Sequence, residues 1–211
     1  MIKIIPFVYN NDPDELLANT YVLVDSLNFC VVVDPSKNNE NIKNFIIKNN
    51  YILKGVLLTH GHFDHFGGAE VLVKAFNVPL FIHALDEIML KDEKMNCSVY
   101  MSRAYQYPFD VEYYSNKEEL SLLNENIEVI PTPYHTKGSV SLYLKESKAV
   151  FTGDSLFYRG VGRSDLPNND SRKQYESVSK LLSLPEDTKV YPGHGPFTSI
   201  KEERVSNQFV K

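Results

Sequence analysis

An apolar run, Leu53-Lys-Gly-Val-Leu-Leu-Thr59, passes without a break into His60-Gly-His-Phe-Asp-His65. This places four metal-ligating side chains in six positions, at the end of what reads as a β-strand. In extended backbone, side chains two apart point the same way. His60 and His62 can therefore grip one ion, while Asp64 and His65 can turn towards a second. Imidazole and carboxylate together suit zinc, with iron(II) or manganese as alternatives. Four ligands are too few for two ions, so the fold has to bring in others.

Three candidates share the same setting just past a strand: His135 in Thr132-Pro-Tyr-His-Thr-Lys-Gly-Ser139, Asp154 in Phe151-Thr-Gly-Asp-Ser155, and His194 in Pro192-Gly-His-Gly195. In isolation an aspartate after a strand is as readily a turn former or helix cap. All three draw their metal reading from the first cluster. The sixth histidine, His83, follows Val78-Pro-Leu-Phe-Ile82 away from any glycine-rich loop and reads as structural.

Around these loops, strand and helix patterns alternate. Met1–Tyr9 reads as a first strand, not a signal peptide: it is short, Pro6 interrupts it and no small-residue cleavage site follows. Thr20–Asp25 and Phe29–Asp34 read as a hairpin. Asn41–Asn49 carries Ile42, Phe45 and Ile46 at helical spacing. Gly67-Gly68 opens a helix with Val71, Leu72, Ala75 and Phe76 as its apolar face. Val78–Ile82 is a strand and Leu85–Leu90 a short helix. Strands follow at Ile127–Pro131, Val140–Lys145, Ala149–Thr152 and Thr188–Tyr191. A helix over Ser171–Leu182 presents Tyr175, Val178, Leu181 and Leu182. Lys91–Glu118 is irregular and rich in tyrosine; it reads first as a surface covering and second as a mobile wall over a substrate site. The alternation, with no linker or repeat, predicts one α/β sandwich domain over residues 1–211.

Composition narrows the function. The 211 residues are 43% hydrophobic and 23% charged, enough to bury a core and stay soluble. No stretch approaches the roughly 20 apolar residues of a membrane span. A net charge of −5 without a basic run argues against nucleic acid as a partner. Cys30 sits in an apolar run and Cys97 in a polar one; with no C-x-x-C, neither a thiolate zinc site nor a redox pair is indicated. A cytoplasmic location is the expectation, and the oligomeric state is open.

These motifs resemble the metallo-β-lactamase superfamily, and within it the short glyoxalase II-like hydrolases (hydroxyacylglutathione hydrolase-like). The resemblance rests on Thr59-His-Gly-His-Phe-Asp-His65, His135 with Gly138-Ser139, Thr152-Gly-Asp154, Gly160-Val-Gly-Arg163-Ser-Asp-Leu166 and Pro192-Gly-His-Gly195. It implies a four-layer αββα sandwich with the site at one edge of the sheets. It also implies a ligand set: His60, His62 and His135 on one ion, Asp64, His65 and His194 on the other, and Asp154 bridging. Tyr134 stands where the family usually has glycine. The likeness is to short members without the helical C-terminal domain of full-length glyoxalase II. The commonest zinc β-lactamases differ more, with Cys at the Asp154 position and Arg at the His65 position.

The implied activity is thioester hydrolysis, of an S-acylglutathione or a related small molecule, by a hydroxide held between two divalent ions. Asp64 and Asp154 would be the catalytic carboxylates. Tyr158 and Arg159 could hold a substrate carboxylate, and Arg163 with Asp165 would be a structural ion pair. Rival readings are an iron-dependent persulfide dioxygenase using His60, His135 and Asp154, a lactone hydrolase on the same scaffold, and a metal-binding protein without turnover.

Overall fold

In the computed structural model the chain is described over residues 1–8, 17–36, 40–101, 104–114 and 119–210, and it forms two six-stranded sheets. The first sheet runs in chain order through β1 (Lys3–Phe7), β2 (Thr20–Val24), β3 (Phe29–Val33), β4 (Ile52–Leu57), β5 (Leu80–Ile82) and β6 (Glu112–Tyr113). β1 to β3 pair antiparallel, so the expected hairpin is present; β3 to β6 pair parallel. Parallel neighbours need crossovers, and these carry α1 (Glu40–Lys48), α2 (Phe63–Phe66), α3 (Ala69–Phe76) and α4 (Glu87–Lys91). The second sheet consists of β7 (Glu119–Leu120), β8 (Ile127–Pro131), β9 (Val140–Leu144), β10 (Ala149–Gly153), β11 (Lys189–Pro192) and β12 (Thr198–Ser199). Only β10 and β11 pair parallel, across a connection that holds α5 (Gln174–Leu182); α6 (Ile200–Ser206) follows β12.

Side-chain alternation explains the layering. Tyr21, Leu23, Val31 and Val33 point into a core shared with Leu142, Leu144 and Phe151 of the other sheet. Their neighbours Val22, Val24, Cys30 and Val32 point outwards and meet Ile42 and Ile46 of α1 and Leu72 of α3. On the far side, Tyr143, Val150 and Val190 lie under Val178 and Leu181 of α5 and Ile200 of α6. The result is helix, sheet, sheet, helix: the αββα sandwich. Helices of seven to nine residues are marginal alone, so burial holds them, at roughly 1.5–3 kcal/mol for each fully covered large aliphatic side chain.

Two helix faces differ from expectation. At about 100° per residue, Ala69, Leu72, Val73 and Phe76 form the buried side of α3, and Ala75 is rotated off it into solvent. The same geometry centres α5 on Ser177, Val178 and Leu181, leaving Tyr175 76% exposed. The tyrosine-bearing stretch is not merely a covering. Tyr107 and Tyr114 are buried, and the Tyr105 ring packs on Phe63 and Phe66 of α2 at 5.3 and 5.9 Å. Its residues 102–103 and 115–118, like Tyr9, lie outside the described residues. No described helix is long and apolar enough to cross a membrane.

The sheets close on each other at one edge, where the ends of β4, β8, β10 and β11 converge. Val140 N donates to Thr59 O at 2.8 Å and Asn19 N to Gly193 O at 2.6 Å. Gly153 has φ +48°, and a Cβ there would lie 2.2 Å from Thr59 Oγ1. Only glycine permits that approach.

Candidate metal centre

All seven candidate residues meet at this edge. His60 lies in the bend that follows β4 and His62 is in extended backbone; α2 then begins at Phe63 and swings Asp64 and His65 to the other side. The short helix, not a continuous loop, separates the two halves of the motif.

Ligand atoms of His60, His62 and His135 lie within 4.8 Å of one another, and so do those of Asp64, His65 and His194. His62 Nδ1 stands 2.9 Å from His135 Nε2, and His194 Nε2 stands 3.0 Å from Asp64 Oδ2. Two ligands about 2.1 Å from one tetrahedral ion are roughly 3.4 Å apart, so this spacing fits a shared cation. Asp154 lies between the groups. Its Oδ2 is 3.4 Å from His135 Nε2, while Oδ1 is 3.3 Å from His65 Nε2 and 3.7 Å from His194 Nε2. Each carboxylate oxygen thus faces one group.

The donor chemistry also asks for cations. Nε2 of His60 and His65 and Oδ1 of Asp154 are buried without a hydrogen-bond partner, an arrangement costing roughly 1–3 kcal/mol per group if nothing else binds. Burial and then the neighbouring imidazoles hold His60 well below the usual histidine range and His62 at about 3. Both rings are neutral near pH 7, as ligands must be. Burial alone would raise the Asp154 carboxyl, but His194, His65 and His135 pull it well below the carboxylate range. Asp64 is lowered in the same way, chiefly by His65 and His194 against burial.

Outer contacts fix the rings. Nδ1 of His65 pairs with Asp34 Oδ2 at 2.9 Å, and Nδ1 of His135 with Arg163 O at 2.7 Å. These partners leave Nε2 of each ring facing the cluster. Asp34 also accepts from Thr59 N and Oγ1 at 2.8 and 2.7 Å. Asp86, fully buried, accepts from Gly61 N (3.1 Å), Gly138 N (2.8 Å), Thr136 Oγ1 (2.5 Å) and Asn168 Nδ2 (2.7 Å), so one carboxylate ties together both loops that carry the first histidine group. Tyr134 lies against the outer face of the second sheet. Its hydroxyl donates to Ser155 O at 2.7 Å, stands 3.1 Å from Asp154 O and accepts from Gly162 N at 3.0 Å.

The sequence reading missed Asp34 and Asp86. Asp34 follows an apolar strand as Asp154 does, a signal that could have marked it. Asp86 sits in a short helical stretch, and nothing local distinguishes it. His83 caps that stretch, its Nδ1 accepting from Leu85 N at 3.2 Å. Arg163 does pair with Asp165, at 2.6 and 2.7 Å. Tyr158 and Arg159 are not brought into the cleft. The Arg159 guanidinium stacks over the Tyr158 ring at 4.9 Å and bonds Glu202 of α6 at 2.9 Å.

A cleft of about 530 Å³ opens over the cluster. His62, Asp64, His135, Asp154 and His194 form its floor; Cys97, Tyr100, Met101, Phe157, Arg163 and Leu166 form its walls.

The chain is similar to known proteins over nearly its whole length. The profile of the Metallo-beta-lactamase superfamily matches residues 13–194. The chain is 34% identical over 197 residues to the probable metallo-hydrolase YqgX of Bacillus subtilis, covering 92% of each chain. It is 31% identical over 195 residues to the hydroxyacylglutathione hydrolase GloC of Haemophilus influenzae, covering 91% of this chain and 92% of that one. Among solved structures, the B3 metallo-beta-lactamase BLEG-1 superposes with a TM-score of 0.90 at 32% identity over all of both chains. TTHA1623 in a di-iron-bound form superposes with 0.85 at 32% identity, over 98% of this chain and all of that one. Fold, cluster and likeness agree: the chain belongs to the metallo-beta-lactamase superfamily and is a metal-dependent hydrolase of that family.

Proposed function

We propose that the protein is a binuclear metal-dependent thioester hydrolase. The observation that carries this reading is the position of Asp154, one oxygen towards each of two three-residue ligand groups, at the floor of an open cleft. The name of GloC supports a thioester of a hydroxyacyl group as substrate, and the di-iron form of TTHA1623 supports two metal ions.

His60, His62 and His135 would hold one cation, Asp64, His65 and His194 the other, and Asp154 both. Zinc is the first expectation, with iron or manganese as alternatives. Two such cations supply Lewis acidity to a carbonyl oxygen and make a water acidic near neutral pH. Asp154 and Asp64 would place two negative charges at the cleft floor, where Asp64 would accept a hydrogen bond from the attacking water. Arg163 O and Asp34 keep the rings of His135 and His65 from rotating. Attack by water forms a C–O bond and breaks the C–S bond, giving a carboxylate and a thiol. A thiolate leaves readily, so no general acid is required of the walls.

Metal content of the purified protein, measured with hydrolysis of S-lactoylglutathione and other thioesters, tests the reading. About two ions per chain with turnover supports it. One iron per chain, no turnover, and oxygen uptake with glutathione persulfide would replace it with the dioxygenase reading. Selective cleavage of lactones or β-lactams would keep the site and change the substrate.

A further inference from the structure

The hydrolytic step uses only the floor of the cleft, yet the walls have a definite chemistry. Cys97, Tyr100 and Met101, from the segment beyond α4, form one side. Phe157 and Leu166, from the connection between β10 and α5, form the other. Phe157 is set edge-on to the His194 ring, with centroids 6.1 Å apart, so the apolar wall begins at the ligand cluster. Tyr100 keeps 77% of its surface open. Concave apolar surface beside reactive groups is a place for apolar matter to bind. The cation in the walls, Arg163, directs two of its guanidinium donors at Asp165. Among the described residues lining the cleft, no cation is left without a carboxylate partner.

Resting on the thioester hydrolase reading, we propose that the substrate arm held between these walls is uncharged and apolar, aliphatic or aromatic, and that the enzyme selects substrates by the area of that arm. Water then reaches the scissile carbonyl from the floor while the arm covers Tyr100, Met101 and Leu166.

Two series of thioesters test this on the metal-loaded protein. In one, the acyl group is fixed and the thiol varies from glutathione to neutral alkyl and benzyl thiols. In the other, the thiol is fixed and the acyl chain lengthens from acetyl to hexanoyl. Each kcat/KM is divided by the uncatalysed rate of the same ester. In at least one series kcat/KM should rise about two- to fourfold per methylene, the upper figure corresponding to full burial. Leu166→Asp should flatten that slope. The slope is a ratio within one preparation, so partial loss of active protein does not affect it. Brisk turnover with no slope in either series, or a glutathione ester outpacing every neutral one, overturns the proposal and leaves the thioesterase reading standing. Absence of turnover on every ester, with two ions bound, removes both.

Discussion

Replacing Tyr134 with Phe probes the site through a residue that is not a ligand. The phenyl ring would keep its place among Ile130, Val150 and Leu156, so apolar packing changes little. The hydroxyl, however, satisfies Gly162 N and Ser155 O and stands 3.1 Å from Asp154 O. Its loss strands at least one buried donor and one buried acceptor, at roughly 1–3 kcal/mol each, so about 2–6 kcal/mol of stability should disappear. The site should feel this as well. Gly162 lies so close to Asp154 that a Cβ would fall 1.9 Å from Asp154 O, and the next residue, Arg163, holds the His135 ring through its carbonyl. Slackening that segment frees His135 and Asp154 together. Loss of a partner that orients ligands typically costs about 10–100-fold in metal affinity. Urea unfolding of the metal-free variant gives the first quantity, and competition against a chelator gives the second. A loss below about 0.5 kcal/mol with unchanged affinity would refute the reasoning.

Other outcomes follow from the same geometry. Asp154→Ala and His60→Ala should each lower kcat by at least about 10²-fold and reduce the bound metal, as turnover and metal analysis will show. Chelation should abolish turnover and lower the melting temperature, because binding at 100 times Kd adds about 2.7 kcal/mol to the native state. Burial pushes the Asp86 carboxyl up to about 6, although Thr136, Gly138 and Gly61 donate to it. With its native pKa above its unfolded one, the native state holds the extra proton between about pH 4 and 6. The contribution of Asp86 to stability therefore falls as pH rises through that window, by roughly 3 kcal/mol, and is constant above it. Urea midpoints of metal-free wild type minus those of Asp86→Asn should show that decline, and a flat difference would contradict it.

Much of the fold was legible because fully buried strands announce themselves. Phe29–Val33 and Val140–Leu144 are rich in β-branched and other apolar residues and bounded by turns, and both faces of each are covered. The two-residue edge strands β6, β7 and β12 carry no such signal. Helix α6 did have one: Ser199 precedes Glu202 by three positions, and its side chain accepts from Glu202 N. The histidines were readable because ligand types recur in loops after strands. Asp86 was not, since its partners Gly61, Thr136, Gly138 and Asn168 are 25 to 82 positions away. Tyr158 and Arg159 show the opposite failure: closeness to Asp154 in sequence suggested the cleft, but Arg159 takes a positive φ of 55° and its side chain meets α6.

Four of the seven clustered residues follow a strand of the first sheet, and three follow strands of the second. The gap between the two groups is thus set by the thickness of the filling between the sheets, where Tyr21, Leu23, Leu142 and Phe151 act as a spacer. Packed sheets stand about 10 Å apart, whereas coordination distances tolerate deviations of only about 0.2 Å. Thinning the spacer by one truncated side chain would change the bite of the site without touching a ligand. Ion affinity in this protein is therefore also a gauge of how densely its two layers are packed.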